Sequence, residues 1–124
     1  MVMQLLKALA DSDTAPVVIC DTRHIIVYMN PAAISRYERW GGDALIGSSL
    51  LGCHNEASQR IISEVVEWFG KSPDNNRAFT FHNDKENKDV YMIALRDSCG
   101  KLIGYTEKHE YRTPETDKPY CIFK

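Results

Sequence analysis

Between Ile61 and Phe69 the apolar residues Ile61, Ile62, Val65, Val66, Trp68 and Phe69 fall on one side of a helical wheel. At about 100° per residue they span an arc of roughly 160°. Arg60, Ser63, Glu64 and Glu67 take the other side, so this stretch folds as an amphipathic helix that must cover an apolar surface. Its start is marked by Asn55, a capping residue, and by Glu56, where the helix dipole favours an anion. Gly70 is expected to close it in the left-handed conformation. Cys53 and His54 then stand at the helix entrance.

The segments on either side determine what is covered. Residues 16–21 (PVVICD) and 24–30 (HIIVYMN) are β-branched runs separated by Thr22-Arg23, the spacing of a hairpin. Asn30-Pro31 ends the second run, and residues 32–40 read as a short helix that Gly41-Gly42 interrupts. After the long helix, period-two alternation returns. Phe79 and Phe81 share one face of a strand, as do Tyr91, Ile93 and Leu95, and DSCGK at 97–101 turns the chain into a last strand at 102–111. The expected fold class is α+β, an antiparallel sheet with helices on one face.

A chain of 124 residues supplies one core, not two. The expected organisation is a flanking helix at 1–13, one domain at 14–113 and a polar tail at 114–124. In the first of these, Val2, Leu5, Leu6 and Leu9 form an apolar stripe on a helix too short to be stable alone, so it must pack on the domain or on a second copy. A homodimer built on those four residues is the expectation. Fifteen basic residues against seventeen acidic ones, scattered along the chain, leave no face suited to a phosphate backbone, so nucleic acid is not an expected partner. The first apolar run meets an acidic residue too early for a spanning helix or a secretory leader, so the chain is placed in the cytoplasm and off the membrane. Four separated cysteines without a C-x-x-C motif indicate free thiols and no zinc site.

IIVYMNPAAISRYERWGGDALIGSSL resembles the core signature of the PAS sensory domains. In those domains an aromatic-x-Asn ends the second strand, a small-residue helix follows, and a Leu-Ile-Gly comes later. Tyr28, Asn30, Ala33, Leu45, Ile46 and Gly47 stand at those places, His54-Asn55-Glu56 matches a His-Pro-Glu-like run opening the long helix, and residues 97–105 resemble the last hairpin. The resemblance spans residues 16–111. It implies a five-stranded antiparallel sheet whose helices enclose a pocket, with the long helix over it, and a sensory role: binding a small molecule or cofactor and signalling through a partner protein. A ligand-free interaction module is the alternative. The flavin-binding members carry Asn-Cys-Arg three residues after the glycine, whereas Gly47 is followed here by SSLLGC, so flavin is not expected. Many members end in an Asp-Ile-Thr that couples to an output helix; here the place reads HEYRT.

The candidate pocket residues are His54, Val65, Trp68, Met92, Tyr105 and His109. A neutral His54 imidazole could ligate haem iron or bond an anionic ligand, and would otherwise cap a loop. Haem-binding members place their ligand within the long helix, and residues 57–69 contain no histidine. Cys53 is either a thiolate favoured by the helix terminus or a buried small hydrophobe. Tyr105, Glu107, His109 and Tyr111 share a strand face that is either pocket wall or solvated. Trp68 and Phe69 read as core or pocket wall, while His24 and His82 are expected to be exposed. Cys53, His54 and Glu56 include the residue types of thiol catalysis, but no oxyanion motif accompanies them, and no enzymatic activity is expected.

Overall fold

A computed structural model describes residues 1–123. Helix α1 (Val2–Ser12) leads to strands β1 (Val18–Asp21) and β2 (Ile26–Met29) and helix α2 (Pro31–Arg36). Three 3-10 turns, at Glu38–Trp40, Gly42–Leu45 and Leu50–Cys53, precede helix α3 (Glu56–Lys71) and strands β3 (Arg77–Asn83), β4 (Lys88–Arg96) and β5 (Leu102–Tyr111). The sheet order is β2-β1-β5-β4-β3, with every neighbour antiparallel. The α+β class and the five-stranded sheet expected from the sequence are both present. No helix among the described residues is long and apolar enough to cross a membrane.

Helix α3 packs through Ile62 and Phe69, the latter fully buried, with Val65 and Val66 half-buried beside them. Burying the Phe69 ring contributes about 2–3 kcal/mol. Asn55 Oδ1 accepts from Ser58 N at 2.9 Å, the cap its position required. The far end departs from expectation. Gly70 remains helical, and the helix ends at an extended Ser72. Side chains replace the glycine cap: Arg96 Nη2 donates to the carbonyls of Phe69 (2.7 Å), Ser72 (3.1 Å) and Asn75 (3.1 Å), and Asn75 Nδ2 donates to Trp68 O (2.8 Å). With those carbonyls satisfied, no left-handed residue is needed. Trp68, expected as core or pocket wall, is 40% exposed, and Ile61 is exposed as well.

Strand β3 also differs. A bulge at Thr80 breaks the period of two, so Phe79 pairs with Tyr91 on the outer face and Phe81 pairs with Val90 on the inner one. Both rings are exposed. The turn between β1 and β2 is wider than a two-residue hairpin: Asp21 Oδ1 accepts from Arg23 N and Ile25 N, and His24 takes φ 69°. His24 is consequently half-buried and not exposed as expected, whereas His82 is exposed. After β5 the chain is exposed up to a final 3-10 turn, Cys121–Phe123.

Candidate functional site

The inner face of the sheet carries the polar residues of β5. Pairing of Cys20 with Tyr105 and of Val18 with Glu107 places Tyr105, Glu107 and His109 on the side that holds the apolar core. Opposite them the chain from Tyr37 to His54 folds back in its three short turns, because Gly41 and Gly42 adopt φ 123° and 55° and reverse its direction twice. Between the two layers lies a cavity of about 130 Å³. Its floor is Val18, Cys20, Tyr105, Glu107 and His109, and its roof includes Tyr37, Leu45, Leu50 and His54. Trp40 and Cys53, which also line it, are exposed and mark its mouth.

A second cavity of about 190 Å³ lies under the first turns of α3, between Ser58, Ile61 and Ile62 above and Thr80, Phe81 and Met92 below. His54 and Glu107 line both cavities and so form the partition between them. The long helix therefore roofs the second cavity, while the short turns roof the first.

Each polar group here is set by burial. Tyr105, 1% exposed, shares a 2.8 Å hydrogen bond between its hydroxyl and His24 Nδ1, and burial raises its phenol far above the ordinary range. Burial likewise pushes the Cys20 thiol up to about 11 and the His24 imidazole down. His54 Nδ1–H donates to Leu50 O at 2.8 Å, so in the neutral ring Nε2 is the acceptor. The Glu107 carboxyl is raised by burial, opposed by the neighbouring His54, Lys88 and Arg36 side chains. No hydrogen bond from a described residue reaches it, and His109 Nε2 stands 3.6 Å from Oε1. A quarter of the Glu107 side chain is accessible, and that surface faces the cavities it lines. His109 has a side chain only 5% exposed, and its Nδ1 has no hydrogen-bond partner among the described residues. Beyond it lies Lys88, 1% exposed, 3.3 Å from Glu86 Oε2 and 5.4 Å from the centre of the Tyr111 ring. Arg36 forks onto the same Glu86 at 2.9 Å through both nitrogens. Among the described residues, no group of three or more His, Cys, Asp or Glu is placed to hold a metal ion.

Burial, aided by Lys88 and Arg36, pushes the His109 pKa down to about 4. In the unfolded chain the ring protonates near 6.5, so between these values the unfolded state binds a proton that the folded state refuses. Stability is expected to fall by about 3 kcal/mol through this residue as pH drops from 7 to 4. Glu107 has the opposite sign, since its raised pKa makes the folded state take a proton first. Urea titrations of wild type and His109→Gln across that pH range isolate the His109 share: the variant should show a shallower loss, and parallel curves would refute the assignment.

Of the residues singled out in the sequence, His54, Tyr105 and His109 come together around the first cavity, and Met92 lies in the second. Val65 packs on the core and lines neither cavity. Trp68 also lines neither, and its ring lies against Phe69 near the end of α3. Cys53 is exposed at the mouth and not buried. Tyr37, Trp40, Leu45 and Leu50 were missed as wall residues. The paired glycines at 41 and 42, which double the chain back over the sheet, were the feature that could have located them.

No family model and no curated protein matches the chain. Solved structures do. The PAS domain of Bordetella pertussis BvgS is 20% identical, with a TM-score of 0.57 over 91% of this chain and 88% of that one. A PAS domain from Colwellia psychrerythraea is 12% identical, with a TM-score of 0.66 over 90% and 97%. The Aer2 receptor of Vibrio cholerae, described as a dual PAS-heme oxygen sensor, is 21% identical, with a TM-score of 0.55 over 79% and 94%. At such identities the likeness is one of architecture, and the architecture of this chain is the PAS fold.

Proposed function

We propose that this chain is a sensory domain of the PAS type, comprising residues 14–113 with a flanking helix at 1–13 and a tail at 114–124. It binds a small molecule in the first cavity and passes the signal to a partner protein in the cytoplasm. The observation that carries this reading is the interior itself: an apolar space with a mouth, into which a carboxyl without a hydrogen-bond partner and two histidines are directed. A side-chain-filled core has no reason to keep such groups, because an unsatisfied buried polar atom such as His109 Nδ1 costs about 1–3 kcal/mol. The role is regulatory, and no catalytic step is assigned to it. Native mass spectrometry of freshly purified protein tests the reading. A stoichiometric small-molecule adduct that is lost on denaturation is expected, and a clean apo mass from every preparation, with no binding regained from cell extract, would favour the ligand-free interaction module instead.

Haem does not fit this interior. His54 Nε2 is free to ligate, with Nδ1 tied as a ligating ring requires. The space beside it, however, is of single-ring size, several times too small for a porphyrin. Haemin titration is expected to give only broad absorption that His54→Ala leaves unchanged, and a sharp Soret band abolished by that variant would reverse this conclusion.

The exposed stripe of α1 supports pairing of two copies. Val2, Leu5, Leu6 and Leu9 are 56–70% exposed, although the helix is anchored at its end by Asn30 Nδ2 to Ala10 O (3.0 Å) and by Tyr28 Oη to the Asp11 carboxylate. Each leucine covered by a second copy contributes about 1.5–3 kcal/mol. Sedimentation should show a dimer that becomes a folded monomer when residues 1–11 are removed, and a full-length monomer at micromolar concentration would exclude it.

A further inference from the structure

We propose that the first cavity selects a small aromatic cation, a single-ring amine or amidine whose charged nitrogen docks on Glu107. This rests on the ligand-binding reading above and adds the chemical class.

Size is the first argument. A cavity of about 150 Å³ holds one benzene ring, and this one is about 130 Å³, open at Trp40 and Cys53. One ring with a short polar substituent fills it. The walls that would face such a ring are aromatic and aliphatic: Tyr37, Trp40, Leu45 and Leu50. Aromatic faces attract a cation as well as a ring.

The polar end decides the charge. Glu107 offers carboxyl oxygens with no protein donor, and His54 offers Nε2 once Nδ1–H is committed to Leu50 O. His109, buried beside them, remains neutral and has Nδ1 unpartnered. The Tyr105 hydroxyl is already bonded to His24, and the Tyr37 hydroxyl is the other one on the wall. The cavity thus presents acceptors in excess, and a ligand with several N–H donors on one planar charged group complements them. A carboxylate ligand would instead meet the Glu107 oxygens, which repel it when that group is ionised. Two cations lie nearby, Arg36 on α2 and Lys88 on β4, but both point to Glu86 and neither lines the cavity.

Burial raises the Glu107 carboxyl, so the empty site keeps a proton there to higher pH than an exposed glutamate does. Entry of a cation releases that proton to solvent and leaves a carboxylate–cation pair. The groups facing this exchange are His54 ahead of α3, Lys88 on β4 and Arg36 on α2, which oppose the rise at Glu107, together with Cys20, Tyr37, Tyr105 and His109.

Three isosteric probes test this: benzamidine, benzamide and benzoate, each titrated calorimetrically into the intact protein. Benzamidine is expected to bind about 30-fold more tightly than benzamide, with benzoate weakest, and its affinity should decline as pH falls through the Glu107 titration. In Glu107→Gln the benzamidine preference should shrink to a few-fold while benzamide still binds, which also shows that the variant is folded. The pH series on the wild type needs no variant at all. Equal or preferred binding of benzoate, a preference retained in Glu107→Gln, or a flat pH series overturns the proposal. Absence of binding by all three also overturns it, and native mass spectrometry then separates the cases: an adduct means the cavity is a ligand site of another class, and a clean apo mass means the ligand-binding reading has failed too.

Discussion

Asn30→Ala is expected to lower stability by about 4 kcal/mol and the melting temperature by roughly 15 °C. Asn30 is fully buried at the point where four segments meet. Its Oδ1 accepts from Val17 N and Ala33 N, both at 2.9 Å, tying the start of β1 to the first turn of α2. Its Nδ2 donates to Ala10 O, Asp13 O and Ala15 O at 3.0–3.2 Å, which holds the end of α1 and the linker after it. Alanine removes all five bonds and leaves the buried Ala15 carbonyl and Ala33 amide without their partner. Aspartate should be no better, since a carboxylate would face three carbonyl oxygens. The α1 anchor loosens in either case, so limited proteolysis near residue 13 should accelerate before global unfolding. A melting temperature within a few degrees of wild type would show that the segments are held by other contacts.

That hub illustrates what the sequence discloses and what it conceals. Asn30 was legible as the end of a strand before Pro31, because that is a local property of the chain. Its bonds to residues 10, 13 and 15 were not, since they depend on where α1 comes to lie. The same division runs through the site. Period two showed that Tyr105, Glu107 and His109 share a face, but which face is inward depends on β5 pairing with β1 and on the irregularity between Leu95 and Arg96, where Ile103 is left unpaired. Lys88 was on the inner face by the same parity as Val90 and Met92, yet a lysine at a strand start reads as solvated until Glu86 and Tyr111 are seen around it. At α3 the apolar arc was read correctly as a face, but its width overstated what is covered, so Trp68 was read as core or pocket wall although it is 40% exposed. Thr80 shows the limit of periodicity in general: one bulged residue separates Phe79 from Phe81 across the sheet, and nothing in an alternating pattern marks it.

Gly104→Ala is the substitution expected to disturb the site most without touching a polar group. Gly104 lies in β5, paired with Asp21 on one side and Leu95 on the other. Its backbone needs no left-handed conformation, so the reason for glycine is space. A Cβ there would sit 2.3 Å from the carbonyl oxygen of Cys20 and 3.5 Å from the Cα of Asp21. The first distance is far inside van der Waals contact, and the atom it meets is backbone, which cannot rotate away as a side chain would. Strand β1 must therefore move outward at Cys20, or β5 must twist, and either change costs about 3 kcal/mol or more. The displacement would not stay local. Cys20 and the adjacent Tyr105 form the floor of the first cavity, and Tyr105 holds His24 through its hydroxyl. The alanine variant should thus unfold at lower denaturant concentration. Even where it remains folded it should lose the small-molecule binding proposed above, with the amide protons of Cys20 to Ile25 exchanging faster. Denaturant unfolding together with hydrogen exchange reads both effects. A variant as stable as wild type, with those amides equally protected, would mean that the strands separate at no cost and that the close approach has no part in shaping the cavity.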